Sequence, residues 1–447
     1  MEIQQSLPNG WHWKKLIDIA EENKYAIVDG PFGSNLKVSD YLEGTNGVPV
    51  LTTKNLDGIY NDDTLRYISF EKFAELRRSE VRGGDILVAK IGSCGKTGIY
   101  PPKMPSAIIP ANLLKITVRD SVNQMYVFYY LNSNGFKNLL SEITTATAQP
   151  AFAVTKFRKL PIPLPNRNEQ DSIVSKIEEL FSQLDAGVAG QKRVQTALKR
   201  YRASVLKAAF EGRLVPQDPD DEPASEVLRR MGKESLKSDD LIPLPENWVW
   251  TTIDDIGNVK GGKRLPKGHS YSEDKTKYPY IRVVDLINNS VDLSNLEYLT
   301  PTTWEEIKKY TISKNDVYIS IAGSIGKVGV VPELLDGANL TENAAKLTDL
   351  HLVNNKYLAL FLDSPFAKEQ ILSFTISTNQ PKLALFRIKK IILPLPPQSE
   401  QIRIVNEVER ILTVIHRLEI IIQDNINRSY RLRKTILKSA FEGKLSD

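Results

Sequence analysis

One cysteine, Cys94, stands in 447 residues. A lone thiol closes no intramolecular disulfide and supplies no cysteine-rich zinc site. Histidine is nearly as scarce: His12, His269, His351 and His416 are scattered, without the spacing of metal ligands. No apolar run approaches the roughly 18 residues that a membrane span requires. The opening stretch, MEIQQSLPNG, has neither the basic n-region nor the apolar h-region of a secretory signal. A cytoplasmic protein without membrane contact is the expectation. Catalytic signatures are missing too. There is no Gly-x-Ser-x-Gly elbow, no glycine-rich adenosylmethionine loop and no Asn-Pro-Pro-Tyr methylation motif. PDDE at 219–222 lacks a lysine at nuclease spacing.

What is present is a repeat. LKAAFEGRL at 206–214 returns as LKSAFEGKL at 437–445, 231 residues later. GDILVAKIGSCGKTGIYP (84–101) matches NDVYISIAGSIGKVGVVP (315–332) at the same offset. Asn112 and Lys115 fall on Asn343 and Lys346, and Gln149-Pro150 on Gln380-Pro381. PLP-x-x-x-x-EQ occurs at 163–170 and 394–401. Earlier, LPNGWHW at 7–13 answers LPENWVW at 244–250 with a slightly larger offset, and Gly30 aligns with Gly261. One fixed offset from residue 84 onward means two copies of one module.

Each module reads as a β-rich globular part followed by a long helix. DILVAKIG and DVYISIAG are apolar, β-branched runs between glycines, as are VPVLTTKNL and YPYIRVVDL, which is strand chemistry. QMYVFYYLNSNGFKNLL (124–140) and NKYLALFLDSPFAKEQIL (355–372) have helical spacing. PIPLP and ILPLPP form rigid exits, because proline biases its neighbourhood to extended backbone. Asn166 or Asn168, and Ser399, are candidate N-caps. Alternating 4,3 spacing runs through Ile173, Ile177, Leu180, Leu184, Val194, Leu198, Tyr201 and Val205. The second run holds Ile404, Val408, Ile411, Ile415, Leu418, Ile422, Leu432 and Ile436. This is an a/d seam, interrupted at Gly187 and Gln191 and at Asn425 and Ser429. Two such helices in one register most simply bury against each other. A two-fold arrangement makes them antiparallel. Packing of each helix on its own domain, or on a partner subunit, is the competing reading.

The predicted fold is therefore α+β: two tandem mixed α/β globular domains separated by two long helices in an antiparallel coiled coil, with a pseudo-two-fold internal repeat. The expected division is 1–165, helix 166–214, linker 215–243, 244–397 and helix 398–447. The linker holds eight acidic against four basic residues, with a short helix near 224–233.

GSCGKTG at 92–98 invites a nucleotide-binding reading. That motif needs Gly-x-x-x-x-Gly-Lys-Ser/Thr, but Lys90 stands where its first glycine belongs, and the copy ends in Lys327-Val328. Cys94 is replaced by Ile325 in the copy, so a catalytic thiol is not expected. A glycine-rich turn that places a lysine and backbone N–H groups within reach of phosphates fits better. A plain hairpin turn with a solvated lysine is the competing reading. FGSNLK (32–37) offers Ser34, Asn35 and Lys37, and GGKRLPKGHSY (261–271) offers Lys263, Arg264, Lys267 and His269. Lys54, Lys90, Ser93 and Lys96 complete the candidate DNA contacts of the first half; Arg282, Ser324 and Lys327 complete the second. Amides read adenine, and Arg or Lys read guanine or phosphate. The loops differ between copies while the framework agrees, as two readers of different sequences would. The net charge of +5 adds little, since a solvated surface explains it as well.

The tandem copies, DGPFGSNLK, GDILVAKIGSCGKTG, PLPNRNEQ and PLPPQSEQ before long helices, the LK[AS]AFEG[RK]L endings, and PQDPDDEPASEVL after the first helix together resemble one family over the whole chain. It is the specificity subunit, HsdS, of type I restriction-modification systems. The resemblance implies two target-recognition domains, each reading half of a split double-stranded DNA site. It implies helices that set the spacing and dock two methyltransferase subunits, with restriction subunits able to join. S-adenosylmethionine, ATP and Mg would then belong to those partners, with no cofactor and no catalytic residue on this chain. Adenine-N6 methylation and ATP-dependent cleavage would be theirs. The alternatives are a stand-alone tandem DNA-binding regulator and a nucleotide-using enzyme.

Overall fold

A computed structural model describes residues 7–31, 35–61, 65–146, 148–237, 241–375 and 381–445. The chain divides into two compact units: Met1–Lys192 with Gln423–Asp447, and Arg193–Ile422. Each 44-residue helix, Arg167–Phe210 and Gln398–Phe441, is therefore shared between units.

In the first unit, strands Ile27–Asp29, Leu113–Ile116, Ile86–Ala89 and Thr97–Ile99 form an antiparallel sheet in that order. A second sheet orders Arg66–Ile68, Val48–Val50, Ala107–Ile108 and Glu80–Val81, with its central pair parallel. Strand His12–Lys15 pairs with Pro161–Leu164, so the entry and exit of the globular part lie side by side. The second unit repeats this with Asn258–Gly261, Ala344–Thr348, Val317–Ser320 and Val328–Val330, and with Val249–Thr252 against Ile392–Leu395. The apolar runs at 124–140 and 355–372 each form two helices. Serines 133 and 364 break them by capping the second helix through their hydroxyls.

The repeated helix endings plug into these cores. Phe441 lies edge-on to Tyr126 and Tyr130, with ring centroids 5.2 Å away in both cases. Phe210 does the same to Tyr357 and Phe361 at 5.3 Å. Each long helix thus starts in one unit and ends in the core of the other. In the first unit Ile173 and Ile177 share a core with Leu437 and Phe441, while Phe181 meets Arg433 further on, so the helices run antiparallel. In the second, Val205 and Phe210 share a core with Ile404 and Val408. Gly212 and Gly443 end the helices at φ +70° and +66°. The following N–H groups, of Arg213 and Lys444, reach back to Ala208 and Ser439, closing Schellman turns. A Cβ at these glycines would come within 2.3 Å of Pro245 and 2.2 Å of Pro8, respectively.

Four details differ from the reading of the sequence. Asn166 does cap the first helix, accepting the Glu169 N–H at 3.0 Å. Ser399, however, lies inside the second helix and donates its hydroxyl to Asp221. The seam also shifts. Val194, Tyr201, Leu418 and Leu432 are exposed, although they continue the 4,3 series, because the buried face there falls one residue, or about 100° of helix, later. The inward positions are polar Gln191, Gln195 and Arg202 in the first helix, and apolar Ile426 with polar Ser429 and Arg433 in the second. Gly30 corresponds to Gly262 rather than Gly261: a Cβ at Gly30 would strike the Ile109 carbonyl, and one at Gly262 would strike the equivalent Leu340 carbonyl. Finally, the acidic segment is docked. Its helix, Ala224–Arg230, buries Leu228 in the second core, and Asp221 accepts from Arg403 at 2.5 Å.

Candidate nucleic-acid interface

The EQ pair that opens each long helix is a joint. Trp11 Nε1 donates to Glu169 at 2.7 Å, and Trp248 Nε1 to Glu400 at 2.8 Å. The adjacent glutamine accepts the N–H of Asn123 or Asn354 and donates to the carbonyl of Pro165 or Pro396. Tryptophan, proline exit and helix start are thereby fixed to one another. These residues were visible in the sequence as a motif, but their roles were not. In the second unit Gln217 covers Glu400 at 2.7 Å, and burial pushes this carboxyl above its ordinary range. Asp221 nearby is held below its own by the hydrogen bond from Arg403.

The candidate contact residues divide by their surroundings. Ser34 lies outside the described residues. Asn35 and Lys37 are exposed beside a short turn, where Asp40 accepts the Lys37 N–H at 2.6 Å. Lys54 is exposed on the 3-10 turn Thr53–Asp57. Asp57 of the same turn receives Lys96 at 2.5 Å, so the glycine-rich turn, with Ser93 exposed at its tip, and Lys54 come together. Lys90 belongs elsewhere. It is 6 % exposed, and its ammonium is seated on Asp29 at 2.5 Å beside Arg78. A buried lysine so held braces the base of the loop.

In the second unit Lys263 and Lys267 are exposed, and Arg264 lies 3.3 Å from Glu342. His269 is half-buried, between Thr303 at 2.9 Å and Glu306 at 3.2 Å. The Arg282 guanidinium pairs with Asp285 and Glu297, and the bond to Asp285 raises it above the ordinary arginine value. The backbone N–H of Arg282 donates to the Asp285 carboxylate at 2.8 Å, at the start of the turn Val283–Asp285. Lys327 donates to the Val283 carbonyl at 2.9 Å, and Ser324 is exposed beside it. In both units the glycine-rich turn therefore abuts a 3-10 turn. Burial raises the Cys94 thiol, which is the wrong direction for a nucleophile. Among the described residues no cluster of three or more His, Cys, Asp or Glu could hold a metal ion. No described helix is long and apolar enough to cross a membrane.

Residues 8–191 and 245–428 each match the type I restriction modification DNA specificity domain. The chain belongs to this family. The type I restriction enzyme EcoBI specificity subunit of Escherichia coli is 26% identical over 342 residues, covering 76% of this chain and 70% of that one. The EcoAI specificity subunit of the same organism is 24% identical over 490 residues, covering 93% and 80%. A solved chain described under complex assembly and conformational transition of the type I R-M system matches with a TM-score of 0.72 at 18% identity, covering 98% of this chain and 99% of that one. The HsdS subunit from Thermoanaerobacter tengcongensis matches at 0.54 and 17%, covering 99% of each. The specificity family's paired domains thus coincide with the internal repeat, and the solved chains share the fold.

Proposed function

We propose that this chain is the sequence-reading, non-catalytic subunit of a type I restriction-modification complex. Its two modules would each read one half of a bipartite double-stranded DNA site. The observation that carries this reading is the pair of specificity domains built on one framework but with different loops. The division at 1–165, 166–214, 215–243, 244–397 and 398–447 follows from it, and cytoplasmic residence would go with that role. Asn35, Lys37, Lys54, Ser93 and Lys96 from one module, and Lys263, Arg264, Lys267, His269, Ser324 and Lys327 from the other, are the proposed contacts, with Ser34 beside them in sequence. Exposed cations supply sequence-independent affinity, and amides and hydroxyls supply choice.

Two methyltransferase subunits, which restriction subunits can join, would bring S-adenosylmethionine, ATP and Mg. The long helix of the second unit supports a docking role, because Val414, Leu418 and Ile421 form an exposed stripe at 4,3 spacing outside its buried seam. Single-molecule methylome sequencing of cells with and without the gene tests the function. A bipartite methylated motif that disappears with the gene is expected. An unchanged methylome, with sequence-specific binding by the chain alone, would point instead to a tandem DNA-binding regulator.

A further inference from the structure

The first long helix sends one side chain into the second recognition module. Arg202 reaches Asp363 at 2.7 Å, and Lys368 reaches the other oxygen of the same carboxylate at 2.6 Å. Both cations line a cavity of about 480 Å³ whose other walls are the glycine-rich turn, with Lys327, and the hairpin at Asn288 and Asn289. Both asparagines hold left-handed backbone, at φ 45° and 59°, a conformation suited to the tight turn of that hairpin. Asp363 is largely enclosed, with 13% of its side chain exposed, while Arg202 and Lys368 remain 41% and 53% exposed. One carboxylate against three cations leaves the cavity with a surplus of two positive charges. A guanidinium carries five N–H donors and an ammonium three, so the single carboxylate orients them without exhausting them.

The equivalent place in the first unit is built differently. Arg433, Lys137 and Lys96 stand 231 residues before or after Arg202, Lys368 and Lys327, but Asn132 replaces Asp363. Lacking that carboxylate, Arg433 turns to Asp185 and stacks over the Phe181 ring at 4.4 Å.

We propose that the cavity in the second unit is a seat for one backbone phosphate of the target duplex. Arg202, Lys368 and Lys327 are its donors, and Asp363 is the positioning residue that aims two of them. The inference rests on the DNA-reading function above and adds that the spacer helix itself touches the ligand.

Binding of the full-length chain to a short duplex of arbitrary sequence tests it. The affinity lost between roughly 50 and 200 mM salt grows about threefold for each phosphate contacted. Arg202→Ala is expected to shrink that loss by about threefold, Arg202→Lys to retain it, and Arg433→Ala to leave it unchanged. Lys368→Ala, at an exposed position, gives the same reading if Arg202→Ala does not fold. An unaltered salt slope in both alanine variants, with wild-type binding intact, overturns the seat and leaves the function standing. Wild-type chain that binds no duplex in the presence of its methyltransferase partner overturns both. Inorganic phosphate that raises the melting temperature of wild type but not of Arg202→Ala, beside equal salt slopes, would assign the cavity to free phosphate and overturn the backbone contact.

Discussion

The two units share their sheets, their Trp–Glu joint and the aromatic plug at the end of the incoming helix, yet they differ in what lies over the joint. Glu400 is 1% exposed beneath Gln217 and Asp221 of the connecting segment, whereas Glu169 is only half-buried. The connecting segment is therefore part of one unit, and the repeat is symmetric in its frame but not in its cover. Arg202 and Arg433 teach the same lesson on a smaller scale. Asn132 stands for Asp363, and Asp185 and Phe181 stand where the second copy has His416 and Leu412, so an otherwise equivalent arginine takes other partners. Framework residues keep the repeat, and single substitutions around them give each half its own chemistry.

Replacing residues 1–160 with the same region of another family member should change one half of the methylated motif completely and leave the other intact. Methylome sequencing reads this directly, and a change in both halves would break the modular comparison. Next in size is the spacing. One helical turn inserted at Gly187 together with its repeat counterpart at 418 should lengthen the unspecified gap between half-sites. Unchanged spacing would separate the helices from any measuring role.

The joints themselves can be compared by thermal unfolding. Trp248→Phe strands the buried Glu400 without its indole donor and should cost about 1–3 kcal/mol. Trp11→Phe should cost less, because water can replace the donor at Glu169. Equal losses would mean that the connecting segment adds nothing to the joint.

The smallest effect concerns pH. A carboxyl whose pKa is raised by folding contributes stability below its unfolded value and loses it as pH rises through the folded value. Glu400 is such a group, raised chiefly by burial from an ordinary 4.5. Stability attributable to it should fall as pH climbs from that value, and Glu400→Gln should flatten this limb of a melting-temperature profile. A profile unchanged by the substitution would show that its donors fully offset its burial.

The repeat was legible because each element of the frame recurs at one spacing, including a buried pair that joins Lys115 to Asp85 and Lys346 to Asp316. The two-helix architecture followed from apolar periodicity. The middle of the seam did not, because there the inward positions include Gln191, Gln195, Arg202 and Ser429, while Val194, Tyr201, Leu418 and Leu432 point outward. The status of single cations was the least legible. Lys90 finds Asp29 at a separation of 61 residues, and Arg202 finds Asp363 at 161. A lysine in a glycine-rich turn looks the same in sequence whether its partner is a carboxylate or a phosphate.

Gly212 meets Pro245 as the chain passes from the first helix to the second module, and Gly443 meets Pro8 in the same way at the other joint. The first of these joins, within the second unit, is made by the connecting segment, and the other, within the first unit, is made by contact alone. A chain opened within 215–243 and closed from Leu445 to Leu7 is therefore expected to keep the glycine–proline contact of each unit, because neither contact depends on which module comes first.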